Sequence, residues 1–169
     1  SWSRISLWAP ECIYDEATQK YYLYYSAQRG SGDRNGSVAT NYSNLMLAVA
    51  SSDTPVGPFT LVRGGTDCNG EEITNNPRFD VAAHFGLSKP FAAIDASVFR
   101  DDDGSLYLTF AKHEDTSGRN RGIWGVKLLD PVTPDWSTLT CLTVTGKRRV
   151  VDFEAGVLTD SIVPVGEGN

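Results

Sequence analysis

Histidine, methionine and cysteine are scarce: two His, one Met and three Cys in 169 residues. The histidines, His84 and His113, stand far apart and lack the spacing of metal ligands. Cys12, Cys68 and Cys141 permit at most one internal disulfide, and none sits in a C-x-x-C pair, so reduced structural thiols are expected. No apolar run approaches the roughly 18 residues that a membrane span needs. Basic charge is also short, 15 Lys+Arg against 21 Asp+Glu for a net charge of −6. Binding to a phosphate backbone needs clustered cations, and Lys147-Arg148-Arg149 is too small a cluster. Neither a membrane nor a nucleic acid is therefore expected as a partner. Residues 1–4 (SWSR) do not read as a signal peptide, although a secreted product that has lost its leader is compatible with them. No Ser-His-Asp arrangement or Gly-rich phosphate loop is present.

What the chain does have is aromatic residues (11%) and turn formers, 16 Gly and 8 Pro, which favour an all-β fold. It also repeats. Residues 9–14 (APECIY) overlay 94–99 (IDASVF), and without a gap 21–26 (YYLYYS) overlay 106–111 (LYLTFA). Each copy reads as strand, polar turn, strand. Residues 49–59 (VASSDTPVGPF) then overlay 126–136 (VKLLDPVTPDW), with the length difference absorbed by a Gly/Ser/Asn-rich loop between Ala27 and Leu45. A third copy starts at 153–158 (FEAGVL) and does not continue into a convincing second strand. About four strands per copy, repeated, is the pattern of a β-propeller, whose closure takes at least four blades.

The chain divides into one blade (1–62), a long insertion (63–93), a second blade (94–150) and the start of a third (151–169). It reads as an incomplete propeller that relies on further blades from the same or another chain. The insertion has few strand signals, and its position makes it a candidate wall of a central cavity.

In the gapless overlay Pro10, Asp95 and Glu154 share one position, at the entry of the first strand of each copy. In a propeller that strand is innermost and lines the axial channel. Two carboxylates facing one cavity repel, and partial desolvation raises the pKa of at least one. A carboxylic acid kept protonated near neutrality can protonate a leaving oxygen, and glycoside hydrolysis normally uses a pair of acids.

Residues 8–11 (WAPE), 21–26, 48–59 (AVASSDTPVGPF), 94–107 (IDASVFRDDDGSLY) and 153–156 (FEAG), in this order, resemble family 43 of the glycoside hydrolases. The resemblance implies a five-bladed propeller acting on arabinose- and xylose-containing polysaccharides by inversion. It further implies that Glu154 is the general acid, that Asp95 tunes its pKa and orientation, and that an Asp general base lies outside this chain, so the isolated piece should be inactive. Trp8 becomes a candidate sugar-binding ring and Phe85 a weaker one. The partner implied is an oligo- or polysaccharide, and the location extracellular. No cofactor is required, though the family pattern allows a structural Ca2+ in the complete propeller. Two positions depart from the family motifs: Ala96 and Gly156 stand where Pro is common.

Other features have a plainer reading. Asp101-Asp102-Asp103-Gly104 is a hairpin turn, because an EF-hand loop counted from Asp101 would place Lys112 where its bidentate Glu belongs. Glu11 alternates away from the face of Pro10 and is read as structural. A non-catalytic carbohydrate-binding propeller is the alternative to the enzyme, and a ligand-free structural repeat comes third.

Overall fold

The computed structural model describes residues 7–28, 45–66, 69–72, 78–86, 91–112 and 122–143, together with the backbone of 148–152 and 157–163. Two four-stranded antiparallel sheets follow one another along the chain. The first contains β1 (Trp8–Asp15), β2 (Lys20–Gln28), β3 (Leu45–Ser52) and β4 (Thr60–Leu61), in that spatial order. The second contains β5 (Ala93–Arg100), β6 (Leu106–Lys112), β7 (Gly122–Asp130) and β8 (Thr133–Cys141). A one-turn helix α1 (Val81–His84) lies between them, and β9 (Arg148–Asp152) and β10 (Val157–Val163) form a hairpin after them. The all-β, four-strands-per-blade expectation holds.

The strands form where apolar and aromatic residues alternate, and the alternation sets their faces. Leu106, Leu108 and Phe110 are buried along β6, and they pair with Leu128, Val126 and Trp124 of β7 on the same face. In the first sheet Tyr22, Tyr24 and Ser26 are buried, opposite Ser51, Val49 and Leu47 of β3. These two faces meet in one core. Tyr24 crosses the seam to donate its hydroxyl to the Pro131 carbonyl (2.6 Å), since a buried phenol needs a partner.

The β5–β6 turn behaves as its sequence requires. Gly104 adopts φ 85°, a left-handed conformation that glycine takes without penalty, and the Asp101 N–H bonds the Ser105 carbonyl (2.8 Å). The Ser105 N–H donates to Asp103 Oδ1, which holds that exposed carboxyl below its ordinary pKa.

The register corrects the overlay by one residue. Trp8 pairs with Ser26, and Ile94 pairs with Ala111. Since 21–26 and 106–111 coincide, Trp8 is the counterpart of Ile94, Ala9 of Asp95 and Pro10 of Ala96. The cause is turn length. The β1–β2 turn holds one more residue, and Asp15 Oδ2 caps it by accepting the Thr18 N–H and hydroxyl. The second half shifts likewise: Leu23 faces Ala50 while Leu108 faces Val126, so Ala50 rather than Val49 matches Val126.

The insertion is less loop-like than its composition suggests. Phe79, Val81, Phe85 and Phe91 are all buried in the core between the sheets. Asp80 caps α1 by accepting the Ala83 N–H (3.0 Å). These apolar residues turn the segment inward, and Phe85 is 4% exposed.

Candidate active site

β1 and β5 are the first strands of their sheets, and each lies at an edge of its own sheet. Each carries a bulge near its start, between Trp8 and Glu11 and between Ile94 and Ser97. At both bulges a non-glycine residue takes the left-handed conformation, Ala9 at φ 47° and Asp95 at φ 56°. Such backbone is uncommon outside glycine and concentrates at functional sites. Asp95 is exposed, and its N–H donates to Ser26 Oγ (2.9 Å). Ser26 is fully buried in β2 and is the ladder partner of half-buried Trp8. One serine thus couples Trp8 to Asp95 across the two sheets.

Two further links fix the strands. Glu11 is half-buried, and its Oε1 accepts the Val98 N–H (2.9 Å), occupying a main-chain donor on the edge of β5. This agrees with the structural reading of Glu11. At the opposite end of the strands, Arg100 Nη2 pairs with Asp15 Oδ1 (2.7 Å), and Arg100 Nη1 bonds the Gly104 carbonyl (2.8 Å). The Asp15 side chain is 3% exposed, so the ion pair joins the base of one blade to the other.

The predicted site residues therefore separate. Asp95 and Trp8 come together at the entry end of β1 and β5. Phe85 does not join them: it packs edge-on to Trp136 and His84 within the core, because the segment that carries it folds inward. Glu154, which follows β9 in sequence, lies outside the described residues, as do His113 and Cys68. Cys12 is exposed and Cys141 buried, its Sγ donating to the Thr143 carbonyl (3.4 Å). Among the described residues no group of three or more His, Cys, Asp or Glu could hold a metal ion, and no helix is long and apolar enough to cross a membrane. Ser26 was missed from the sequence. Its signal is a hydroxyl at a position where the other blade has Ala111.

Comparison with known proteins places this geometry. The sequence profile of "Glycosyl hydrolases family 43" matches residues 1–155. The chain is 32% identical over 127 residues to Xylosidase/arabinosidase 43A of Humicola insolens, covering 75% of this chain and 25% of that protein. It is 30% identical over 128 residues to a Beta-xylosidase of Xylanibacter ruminicola, covering 75% and 26%. Among solved structures, an Endo-1,4-beta-xylanase from Bacteroides thetaiotaomicron shares 26% identity at TM-score 0.51, over 87% of this chain and 38% of that one. An endo-arabinase from the same organism has the same fold at TM-score 0.55 and 20% identity, over 84% and 38%. The chain spans about a quarter of the length of these curated relatives. The profile match over residues 1–155, in a chain built of repeated four-stranded sheets, shows that this chain belongs to glycosyl hydrolase family 43.

Proposed function

We propose that the chain is part of an inverting glycoside hydrolase that cleaves arabinose- or xylose-containing plant polysaccharides outside the cell. Glu154 is the general acid and Asp95 the residue that tunes it, and the general base is an acid supplied from outside this chain. The remaining blades close the channel around them. The single observation that carries the reading is Asp95 itself: an exposed carboxylate on left-handed backbone at the entry of an innermost strand, anchored through its N–H by a buried serine. A backbone held this way sets the direction in which the side chain leaves the strand.

In the reaction the base takes a proton from water, and the water oxygen attacks the anomeric carbon. The bond to the leaving oxygen breaks as that oxygen receives the Glu154 proton. Inverting carboxyl pairs stand roughly 6.5–9.5 Å apart, which leaves room for the water. The negative charge of Asp95 keeps Glu154 protonated until that step. Trp8, beside Asp95, offers an aromatic surface to the sugar ring.

Glu154→Gln in the complete propeller should lower kcat on xylan or arabinan by about 10²–10⁴-fold. The loss should be much smaller on aryl glycosides whose leaving group needs no proton, and oligosaccharide affinity should be retained. Unchanged turnover on the polymer would remove Glu154 from the acid role. Binding without turnover in the unaltered protein would favour the carbohydrate-binding propeller.

A further inference from the structure

We propose that the cleft bounded by Arg63, Glu72, Arg78 and His84 on one side and by Thr133 and Trp136 of β8 on the other is a second carbohydrate site, which takes one or two sugar units of a glycan chain away from Asp95. The choice of ligand rests on the glycosidase reading above; the cleft itself does not. Its volume is about 390 Å³, within the roughly 300–1,000 Å³ of small-molecule sites.

Its lining combines one aromatic wall with polar groups of both signs. Trp136 of β8 is half-buried and stacked on His84 (centroids 5.2 Å apart, 29° between planes), which fixes the indole plane. Arg78 is pinned by its Nε donating to the Val132 carbonyl (2.9 Å) and its Nη2 to Thr133 Oγ1 (3.3 Å). His84 Nδ1 donates to the Thr66 carbonyl (2.6 Å), which orients the ring. Asp80 is held by its capping bond to the Ala83 N–H. Groups already tied down by protein lose little freedom when a ligand arrives.

The charges lining the cleft balance, Arg63 and Arg78 against Glu72 and Asp80. A site for phosphate or another anion would carry an excess of cations. Fixed donors and acceptors beside an aromatic wall instead suit a neutral polyhydroxylated ring.

The placement separates the cleft from the candidate active site. Thr133 and Trp136 belong to the outermost strand, near its start. Asp95 lies on the innermost strand, at the end of the sheet where β8 finishes, because Trp124 faces Cys141 while Asp130 faces Thr133. A glycan held at the cleft leaves the axial channel open, so the site anchors polymer instead of reacting with it.

The test is titration calorimetry of the full chain with xylohexaose and with arabinohexaose. Glu72→Ala is the first variant, since Glu72 is exposed and its loss spares the core. Trp136→Ala is checked for folding by circular dichroism, with Trp136→Phe as the milder change, and Asp95→Asn is the axial control. The expected result is binding of at least one oligosaccharide, weakened about tenfold by Glu72→Ala and by Trp136→Ala, less by Trp136→Phe, and unaltered in Asp95→Asn. The proposal is overturned by no binding in the unaltered chain, by binding indifferent to Glu72→Ala and Trp136→Phe, or by competition from inorganic phosphate. Binding lost only in Asp95→Asn also overturns it while leaving the glycosidase reading in place. That reading fails separately, if Glu154→Gln in the complete propeller turns over polymer normally.

Discussion

In the first blade the bulge of the innermost strand holds Ala9 at φ 47°, and in the second it holds Asp95 at φ 56°. The backbone is the same and the chemistry is not. The left-handed residue is therefore a property of the blade design, and the acid was placed on a geometry that the repeat already supplied. A similar division runs down the sheets. Buried Tyr24, with its hydroxyl bonded across the seam, matches Thr109, and Ser26 matches Ala111.

The strongest way to break this comparison is to move the acid. In the complete propeller Asp95→Ala should reduce kcat by about 10²-fold or more, and adding Ala9→Asp should restore none of it, because the copy is aimed from a different blade. Recovery of turnover would show that any acid on that backbone suffices. Next in size is the ion pair at the base. Arg100→Ala leaves the buried Asp15 carboxylate without its cation and should cost about 2 kcal/mol in urea unfolding. Asp101, the exposed counterpart of Asp15, should cost less than about 0.5 kcal/mol when changed to Ala.

A smaller effect is expected at the seam. Tyr24→Phe loses the bond to Pro131, at about 1 kcal/mol. Burial, then the nearby Tyr22, Asp130, Asp15 and Glu11, push the Tyr24 phenol well above its ordinary pKa. The folded chain thus keeps a proton that the unfolded chain gives up near pH 10, and stability must fall as pH rises past about 10. The Phe variant should lose part of that alkaline slope, measured by urea midpoints across pH. The smallest change sharpens the comparison. Pro10 and Ala96 occupy matching positions, each after a left-handed residue. Ala96→Pro should therefore be accepted and add about 0.4–1 kcal/mol; a loss would show that the two bulges differ in detail.

Much of the architecture was legible from the chain. Alternation in 21–26 and 106–111 marked strands, and Asp102-Asp103-Gly104 marked its turn. The register was not, because a gapless overlay assumes equal turns, and the Asp15–Thr18 cap is a local bond that adds one residue without altering the pattern around it. The insertion misled for another reason. Its Gly and Asn residues signal loop, yet Phe79, Val81, Phe85 and Phe91 follow no single period, so their common burial comes from tertiary packing alone. Hence Phe85 proved to be core. In the site, the left-handed Asp95 and its serine anchor depend on a contact between strands far apart in sequence, which composition and spacing do not encode.

The seam between the blades joins unlike surfaces. Tyr22, Tyr24 and Ser26 of β2 meet the Leu106, Leu108 and Phe110 side of β6, whereas their own counterparts Tyr107, Thr109 and Ala111 lie on the reverse of that strand, where Phe99 is 48% exposed and Ile123 40%. A contact of this kind has a polarity: every unit is a socket on one flank and a plug on the other. No dyad relates the pair, so assembly advances in a single rotational sense and satisfies its last surface only by coming full circle.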